Sequence, residues 1–334
     1  MSVTIKDIAR IINMSHTTVS RALNDSPLIS EATKLKVRAV ADKYHYIPNV
    51  NARSLVLSKS YNIGLFFSTL KTGTSAGFFM DSVRSVNEVI RDNYSLSVEG
   101  VDDFKDLSKV SSRYFDGILL MSQSQEDDPF IRHVIEQNIP FVLLNRELDL
   151  PVATTLLADD KTGAFKATEC LIKNGHVVIG LIEGIPEFKN TQRRKEGFLK
   201  ALRKYRIKFN PRLSATGNYD LDGGYLAMQK MLSYSNKLTA VFCFNDDMAV
   251  GAMKAIYESG LKIPGNISLV GFDDSEYAAY LNPALTSVSR PIEKMCIEGA
   301  RILLEKIEGH HQKNKTIFLK TELKERDSVL NLSN

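Results

Sequence analysis

From residue 61 onward, short apolar runs of strand length alternate with longer stretches in which apolar residues recur at helical spacing. Most of the runs are apolar at consecutive positions, which is typical of strands covered on both faces of a sheet. The predicted strands are residues 63–67, 96–101, 117–121, 141–144, 154–157, 177–182, 240–244, 267–271 and 316–319. The predicted helices are residues 79–91, 130–137, 162–173, 193–204, 224–232, 248–259 and 292–306.

This alternation predicts parallel sheets, because a parallel neighbour can be reached only through a crossover connection, usually a helix. Two doubly wound parallel-sheet α/β units fit, over about residues 61–158 and 159–288. A chain of 334 residues with 43% hydrophobic and 25% charged residues can bury cores of this size.

The N-terminal segment has a different pattern, which predicts three short helices. Thr4 and Asp7 are placed to form a capping box at the start of the first helix. Ser15 can cap the second helix and Ser30 the third. The apolar face of the third helix is predicted to be Leu35, Val37, Val40 and Ala41. An all-α head is therefore expected in front of the α/β body.

One face of the second helix carries short, donor-rich side chains and no acid. These side chains are His16, Thr17, Thr18, Ser20, Arg21 and Asn24. A helix in the major groove of DNA needs such a surface, because base edges are read through donors and acceptors. The alternative is an ordinary helical hairpin with a solvated polar face, in which Arg21 would form a salt bridge with Asp25.

The positive charge of the chain is concentrated in this segment. The net charge is +4, and residues 1–60 hold nine Lys and Arg against four acids, whereas the rest of the chain holds 34 against 35. A basic head on a near-neutral body indicates a protein that binds a polyanion at one end.

The three cysteines lie far apart in apolar stretches and form no C-x-x-C pair; they are Cys170, Cys243 and Cys296. Neither a metal site nor a disulfide framework is indicated, and no cofactor is expected. No signal peptide and no membrane-spanning run is found, so a cytoplasmic location is expected.

Several motifs follow one another along the whole chain. The first residues contain TIKDIA and TVSRALN, followed by YIPN and ARSL. The body contains NTQRRKEGF, VFCFNDDMAVGAM, ISLVGFDD and PALTSVSRP. In kind and in order, these motifs resemble the lactose-repressor/galactose-repressor (LacI/GalR) family of bacterial transcription regulators.

The resemblance implies a helix-turn-helix head at 1–47, a hinge helix or linker at 48–60, and a periplasmic-binding-protein-like effector and dimerisation domain at 61–334. The subdomains of that domain are expected at about 61–158 with 290–318 and at about 159–288 with 319–330. It also implies a regulator without enzyme activity, whose homodimer binds double-stranded, palindromic operator DNA.

The family's DNA-contacting positions can be carried over to this head. The base contacts fall on His16, Thr17 and Arg21. The phosphate contacts fall on Thr4, Ser15, Thr18, Ser20, Asn24, Ser30 and Tyr46. In the minor groove the resemblance places Ala52 and Leu55, with Leu55 as an apolar wedge between base pairs. A helix as short as 50–57 is marginal alone, so a flexible linker is the alternative for this segment.

A small sugar-like effector is expected in the cleft between the two subdomains, outside the carboxyl ends of their strands. The residues carried over to this cleft are Asn145, Arg194, Asn245, Asp273 and Arg290, with Phe78 and Phe79 as an apolar wall. Helix capping and a turn are the alternative roles of Asn245 and Asp273, and core packing is that of the two phenylalanines.

Arg290 departs from the glutamine that is common at this position in the family. Together with Arg194 and Arg146, it could bring three guanidinium groups to the cleft. We therefore hypothesise an anionic effector, such as a sugar phosphate or a uronic acid. Neutralisation of Arg290 by Asp273 is the alternative.

Two other functions remain open from the sequence. Some members of this family are global carbon-catabolite regulators that respond to a phosphorylated carrier protein. A remote alternative is a serine hydrolase, because residues 73–77 match G-x-S-x-G around Ser75 and His176 follows in chain order. Only one predicted strand precedes that motif, whereas the hydrolase fold needs several.

Overall fold

The computed structural model describes residues 3–23, 25–44, 46, 59–71, 73–104, 106–148, 152–234, 237–310 and 313–332. The chain divides into two compact units, a head at Met1–Ser60 and a body at Tyr61–Asn334. Each unit has its own hydrophobic core, and the two are described in turn.

Three helices form the described part of the head: α1 (Ile5–Ile11), α2 (His16–Leu23) and α3 (Glu31–Lys43). The predicted caps are present. The Asp7 carboxylate accepts from the backbone N–H of Thr4 at 3.0 Å, Ser15 accepts from Thr18 N–H at 3.0 Å, and Ser30 accepts from Thr33 N–H at 3.3 Å. The buried core of the head consists of Ile8, Ala9, Ile12, Val19, Ala22 and Val37.

The predicted apolar face of α3 was wrong at Leu35, which is 65% exposed. Lys34 is buried instead, and it pairs with Glu31 at 2.7 Å and with Asp25 at 3.6 Å. Asp25 also pairs with Arg38. The stripe that faces the core runs through positions 34, 37 and 41, the spacing of one helical face, and position 35 lies about 100° away from it.

The body contains two six-stranded sheets. The twelve strands of the described residues are β1 (Asn62–Phe67), β2 (Ser95–Gly100), β3 (Gly117–Met121), β4 (Phe141–Leu144), β5 (Thr154–Ala158), β6 (Ile179–Glu183), β7 (Ser214–Thr216), β8 (Ala240–Cys243), β9 (Ser268–Asp273), β10 (Thr286–Ser289), β11 (Thr316–Leu319) and β12 (Glu322–Lys324). The first sheet has the order β11-β5-β4-β3-β1-β2 and the second β12-β10-β9-β8-β6-β7. All pairs are parallel except β10 with β12.

Helices cover both sheets, which confirms the predicted doubly wound α/β class. The helices of the described body are α4 (Ala76–Ile90), α5 (Asp128–Glu136), α6 (Asp160–Lys173), α7 (Lys189–Lys204), α8 (Leu221–Tyr234), α9 (Asp246–Glu258) and α10 (Ile292–Ile307). The chain passes between the sheets three times, after β5, after β10 and after β11. We call the part around the first sheet the N-subdomain and the part around the second sheet the C-subdomain.

Three strands are absent from the sequence prediction: β7, β10 and β12. Their sequences are SAT, TSVS and ELK, so none contains an apolar run. Within the described residues, no helix is long and apolar enough to cross a membrane.

Candidate effector cavity and recognition helix

A small cavity of about 20 Å³ lies where the carboxyl ends of strands from both subdomains meet. It is lined by Gly73, Ser75, Phe78, Gln123, Asn145, Asn190, Arg194, Tyr219, Asn245, Asp273 and Arg290. A wider cleft of about 630 Å³ lies beside it and shares Asn145 and Asn190. The sequence-predicted residues Asn145, Arg194, Asn245, Asp273 and Arg290 are thus brought together.

Three lining residues have a backbone conformation that non-glycine residues rarely adopt. The φ angles are 71° at Asn145, 65° at Tyr219 and 105° at Asp273. Each such residue costs about 1–3 kcal/mol and persists where the surrounding structure enforces it. Asn145 directly follows β4, Asp273 ends β9 and Tyr219 precedes α8, and all three side chains line the cavity.

Arg194 forms the base of the cavity and is only 1% exposed. It lies in the second turn of α7 rather than at its start, because the helix begins four residues earlier than predicted. Its Nη2 atom lies 3.3 Å from Asp160 Oδ1 and 3.4 Å from Asp273 Oδ1, and its Nη1 atom donates to the Phe244 carbonyl. The guanidinium stacks 3.8 Å from the centre of the Phe272 ring.

Arg290 approaches the same carboxylates from the second crossing between the sheets. Its Nη2 atom donates to Asn145 Oδ1 at 2.6 Å, and its Nη1 atom lies 3.4 Å from Asp273 Oδ1. Its Nε atom lies 3.3 Å from Asp160 Oδ1, but the angle does not allow a hydrogen bond. Among the described residues it is the only buried side-chain nitrogen or oxygen without a hydrogen-bond partner.

The charges of the cavity are balanced but loosely paired. Two guanidinium groups share two carboxylates at distances of 3.3–3.4 Å, longer than the roughly 2.7–2.9 Å of strong charge-assisted bonds. Burial raises the pKa of Asp273 above its usual value, although Arg194 and Arg290 oppose this. The site can therefore exchange one of these carboxylate contacts for a ligand.

Asn245 serves as the N-cap of α9. Its Oδ1 accepts from Met248 N–H at 2.9 Å and its Nδ2 donates to the Tyr219 carbonyl at 3.0 Å. The neighbouring Asp246 is buried and supports the loop that carries Asp273, since it accepts from Ser287 Oγ at 2.6 Å and from Ser275 N–H at 2.7 Å. Burial raises the pKa of Asp246 to about 8.

The other predicted residues divide between the cavity and the core. Phe78 lines the cavity, with the Arg290 guanidinium 5.7 Å from its ring centre. Phe79 is absent from the lining and packs 5.4 Å from the Phe67 ring. Arg146 donates to Ser122 at 2.8 Å and pairs with Asp128, so it is not a third free guanidinium in this cavity.

Sequence reasoning missed several lining residues, notably Gln123, Asn190 and Tyr219. Tyr219 is buried, which raises its pKa to about 12, and its hydroxyl lies 2.7 Å from Thr191 Oγ1. Of these three missed residues, only Asn190 belongs to a motif identified in the sequence, NTQRRKEGF, and that motif could have indicated it.

The hydrolase hypothesis was wrong. Ser75 is the N-cap of α4, with its hydroxyl accepting from Phe78 N–H at 3.4 Å. His176 precedes β6 in the other subdomain, where its ring lies 3.1 Å from Thr239 Oγ1 and 3.1 Å from the Leu330 carbonyl. Burial lowers the pKa of His176. His176, the base that the sequence suggested, is therefore not placed to serve Ser75.

In the head, α2 presents His16, Thr17 and Arg21 as exposed side chains. No carboxylate of the described residues pairs with Arg21, whose suggested partner Asp25 binds Lys34 and Arg38 instead. Thr18 and Ser20 are half-buried. Thr4, Ser15 and Ser30 lie at helix starts, and Tyr46 packs against the head core. The predictions for Asn24, Ala52 and Leu55 lie outside the described residues.

A helical head with an exposed polar recognition helix, followed by two parallel-sheet subdomains around a polar cavity, defines a DNA-binding regulator with a small-molecule domain rather than an enzyme. A family model described as "Bacterial regulatory proteins, lacI family" matches residues 4–49. A second model, "Periplasmic binding protein-like domain", matches residues 168–329.

Known proteins are similar over the whole chain. The probable HTH-type transcriptional repressor ExuR of Bacillus subtilis (strain 168) is 48% identical over 331 residues, 99% of each chain. The crystal structure of the lac repressor dimer bound to operator and the anti-inducer ONPF has a TM-score of 0.84 at 26% identity, covering 99% of this chain and 100% of that one. A transcriptional regulator CelR–cellobiose complex has a TM-score of 0.75 at 27% identity, covering 98% and 99%.

The chain therefore belongs to the lacI family of bacterial regulatory proteins and is a transcription regulator. The resemblance identified from the sequence motifs is confirmed.

Proposed function

We propose that this regulator represses transcription by binding a palindromic operator as a homodimer in the cytoplasm, where the chromosome lies. A small, sugar-derived anion in the cavity around Arg194 and Arg290 controls this binding. The solved lac repressor neighbour is a dimer on operator DNA, which supports a homodimer on an operator, and the CelR neighbour holds cellobiose, which supports a sugar-derived effector.

The DNA-binding part is supported by the exposed side chains of α2. Arg21 is long enough to donate two hydrogen bonds to the major-groove edge of guanine, a contact worth about 1–3 kcal/mol of discrimination between base pairs. His16 and Thr17 precede it by one helical turn on the exposed side of the same helix. A single head offers few phosphate contacts, so a second copy is needed for tight and specific binding.

The observation that carries the effector class is the Nε donor of Arg290, buried without a hydrogen-bond partner at the cavity. A buried donor without a partner costs about 1–3 kcal/mol, and a ligand acceptor would remove that cost. An anionic oxygen is the best acceptor for a guanidinium, because the hydrogen bond is then charge-assisted. Sugar hydroxyls suit the remaining lining, since Asn190 and Gln123 offer both donors and acceptors.

The present cavity has room for about one water molecule, so we expect a sugar-sized effector to gain space beside Arg290 when the subdomains separate. Some contacts across the cleft are weak and can be broken. Arg193 on α7 pairs with Glu147 at 2.7 Å, but both side chains are about half exposed. The effector is thus expected to shift the equilibrium between closed and open arrangements.

Isothermal titration calorimetry on the full chain tests the effector class. Matched panels would contain a neutral hexose, the corresponding uronic acid and the corresponding sugar phosphate. We expect one of the two anions to bind and the neutral sugar to bind at least roughly tenfold more weakly. Tight binding of a neutral sugar, with no binding of its anions, would refute the proposal.

A further inference from the structure

A second cavity, of about 400 Å³, lies at the carboxyl ends of β1, β2 and β3 and shares no lining residue with the effector cavity. Its apolar wall consists of Val101, Phe104, Leu107, Pro129, Phe130 and Phe188. The volume is that of a small-molecule site, and ligands of open α/β sheets bind outside the carboxyl ends of the strands.

The polar part of this second cavity is acidic. Its lining includes Asp102, Glu126 and Asp127, and no Lys, Arg or His is found among the described lining residues. Asp102 is partly neutralised by Lys71, whose Nζ lies 3.3 Å away. The other two carboxylates have no such partner within the part of the chain that the structure describes. This charge is opposite in sign to the guanidinium groups of the effector cavity.

Asp127 is the unusual member of this group, because it is a carboxylate that is only 2% exposed. The hydroxyls of Ser68 and Ser122 donate to its Oδ2 atom at 2.6 and 2.5 Å. Arg146 reaches it only indirectly, by donating to the Ser122 hydroxyl at 2.8 Å. Buried carboxylates are normally paired with a cation, so this one lacks its usual partner. Its Oδ1 atom accepts no hydrogen bond from the described residues and, unlike Arg290 Nε, is not fully shielded from solvent, so it is available to a ligand in the second cavity.

We propose that this second cavity binds a small organic cation, a protonated amine on an apolar body. The ammonium group donates to Asp127 Oδ1, and Glu126 at the exposed rim adds a second negative charge. The apolar body packs on the rings of Phe104 and Phe130, which both contact Phe66 beneath them at 5.5 and 4.8 Å between ring centres. An anion or a phosphate is excluded by the charge of the lining.

The position of the cavity couples it to the effector cavity. Phe188 belongs to the C-subdomain, whereas the rest of the lining belongs to the N-subdomain. Phe188 stacks on Tyr219 of the effector cavity at 6.1 Å, and Ser68 accepts from the backbone N–H of Gln123, another effector-cavity residue, at 2.7 Å. A ligand that touches both subdomains stabilises the closed arrangement, because it loses contacts when they separate.

Three compounds with one skeleton and different charges test the proposal on the full chain. They are 2-phenylethylamine, 2-phenylethanol and phenylacetate, with binding measured by saturation-transfer NMR and calorimetry. We expect the amine to bind at least roughly tenfold more tightly than the alcohol, and phenylacetate not to bind. Equal binding of amine and alcohol, or no binding of the amine at millimolar concentration, would overturn the proposal. The test requires neither operator nor effector, so it is independent of the proposed function.

Substitutions in the lining of the second cavity test whether the amine binds there. Asp127→Asn keeps an oxygen that can accept the serine hydrogen bonds but removes the charge, and we expect the Kd for the amine to rise roughly tenfold. Leu107→Trp places a larger side chain at the half-buried edge of the cavity and should prevent amine binding. This second variant keeps the test valid if Asp127→Asn does not fold. Glu136→Gln is the matched control, because Glu136 is exposed on α5 outside the cavity. If Glu136→Gln weakens amine binding as much as Asp127→Asn does, or if Leu107→Trp binds the amine as the wild-type chain does, the amine does not bind in this cavity.

Discussion

Replacing Arg290 with glutamine is expected to remove tight binding of the anionic effector while the body still folds. The substitution removes the Nε donor and the 2.6 Å hydrogen bond to Asn145. It leaves an uncharged amide at the edge of the cavity. The ligand then loses its charged partner, but hydroxyl groups retain donors and acceptors at the same place.

The size of the effect follows from the bonds that are lost. The one charge-assisted hydrogen bond that the Nε donor would make to the effector is worth about 1.5–3 kcal/mol, or a roughly 10- to 100-fold increase in the Kd. The fold should survive, because Asp160 and Asp273 keep Arg194 at 3.3 and 3.4 Å. Removing one partner of a buried ion pair costs about 3–5 kcal/mol when nothing replaces it, and the remaining guanidinium reduces that cost here.

Calorimetry on the wild-type chain, Arg290→Gln and the control Arg203→Gln measures this effect. Arg203 is the matched control, because it is an exposed arginine in the last turn of α7 that lines neither the cavity nor the adjoining cleft. A thermal unfolding curve for each variant separates lost affinity from lost structure. If Arg290→Gln binds the anion within roughly threefold of the wild-type Kd, the assignment of Arg290 to the anion is refuted.

Further predictions concern the head, the packing of the body and pH. Arg21→Ala should weaken operator binding by about 1–3 kcal/mol and relax selectivity at one base pair, measured by gel shift on substituted operators; an equal loss on every sequence would indicate a phosphate contact instead. Gly197→Val should destabilise the body by about 1–3 kcal/mol in urea, because a Cβ there lies 2.2 Å from the Lys161 carbonyl oxygen; an unchanged midpoint would contradict that contact. Folding raises the pKa of Asp246 from 3.8 to about 8, so the folded chain binds a proton at Asp246 more tightly than the unfolded chain does. The stability that this protonated side chain contributes is therefore lost as pH rises through that interval. Asp246→Asn should therefore flatten the fall in stability that denaturant unfolding shows over this range, and an unchanged slope would exclude Asp246 as its source.

The sequence predicted those parts of the fold that depend on local pattern. The long apolar runs became the central strands, and the capping residues Thr4, Ser15 and Ser30 lie where the helices begin. The edge strands β7 and β12 and the inner strand β10 were missed because they have little apolar sequence of their own. Their formation depends on pairing with neighbours that are distant in the chain, such as Val288 with Leu323.

The site was predicted in composition but not in geometry. The family resemblance assigned Arg194, Asp273 and Arg290 to one cleft, yet nothing local to the sequence shows that Arg290 binds Asn145, a residue 145 positions away. The same holds for Tyr219, which reaches the cavity through a positive φ angle in a loop before α8. Side-chain direction at such places is decided by tertiary packing and not by periodicity.

The most direct test of the account is whether the cavity around Arg290 controls DNA binding. Fluorescence anisotropy of the full chain on DNA flanking its own gene would be measured with and without the anion that calorimetry identifies. We expect that anion to change the operator Kd of the wild-type chain at least roughly tenfold, and to leave that of Arg290→Gln unchanged. An equal change in both proteins, or no change in either, would contradict the account.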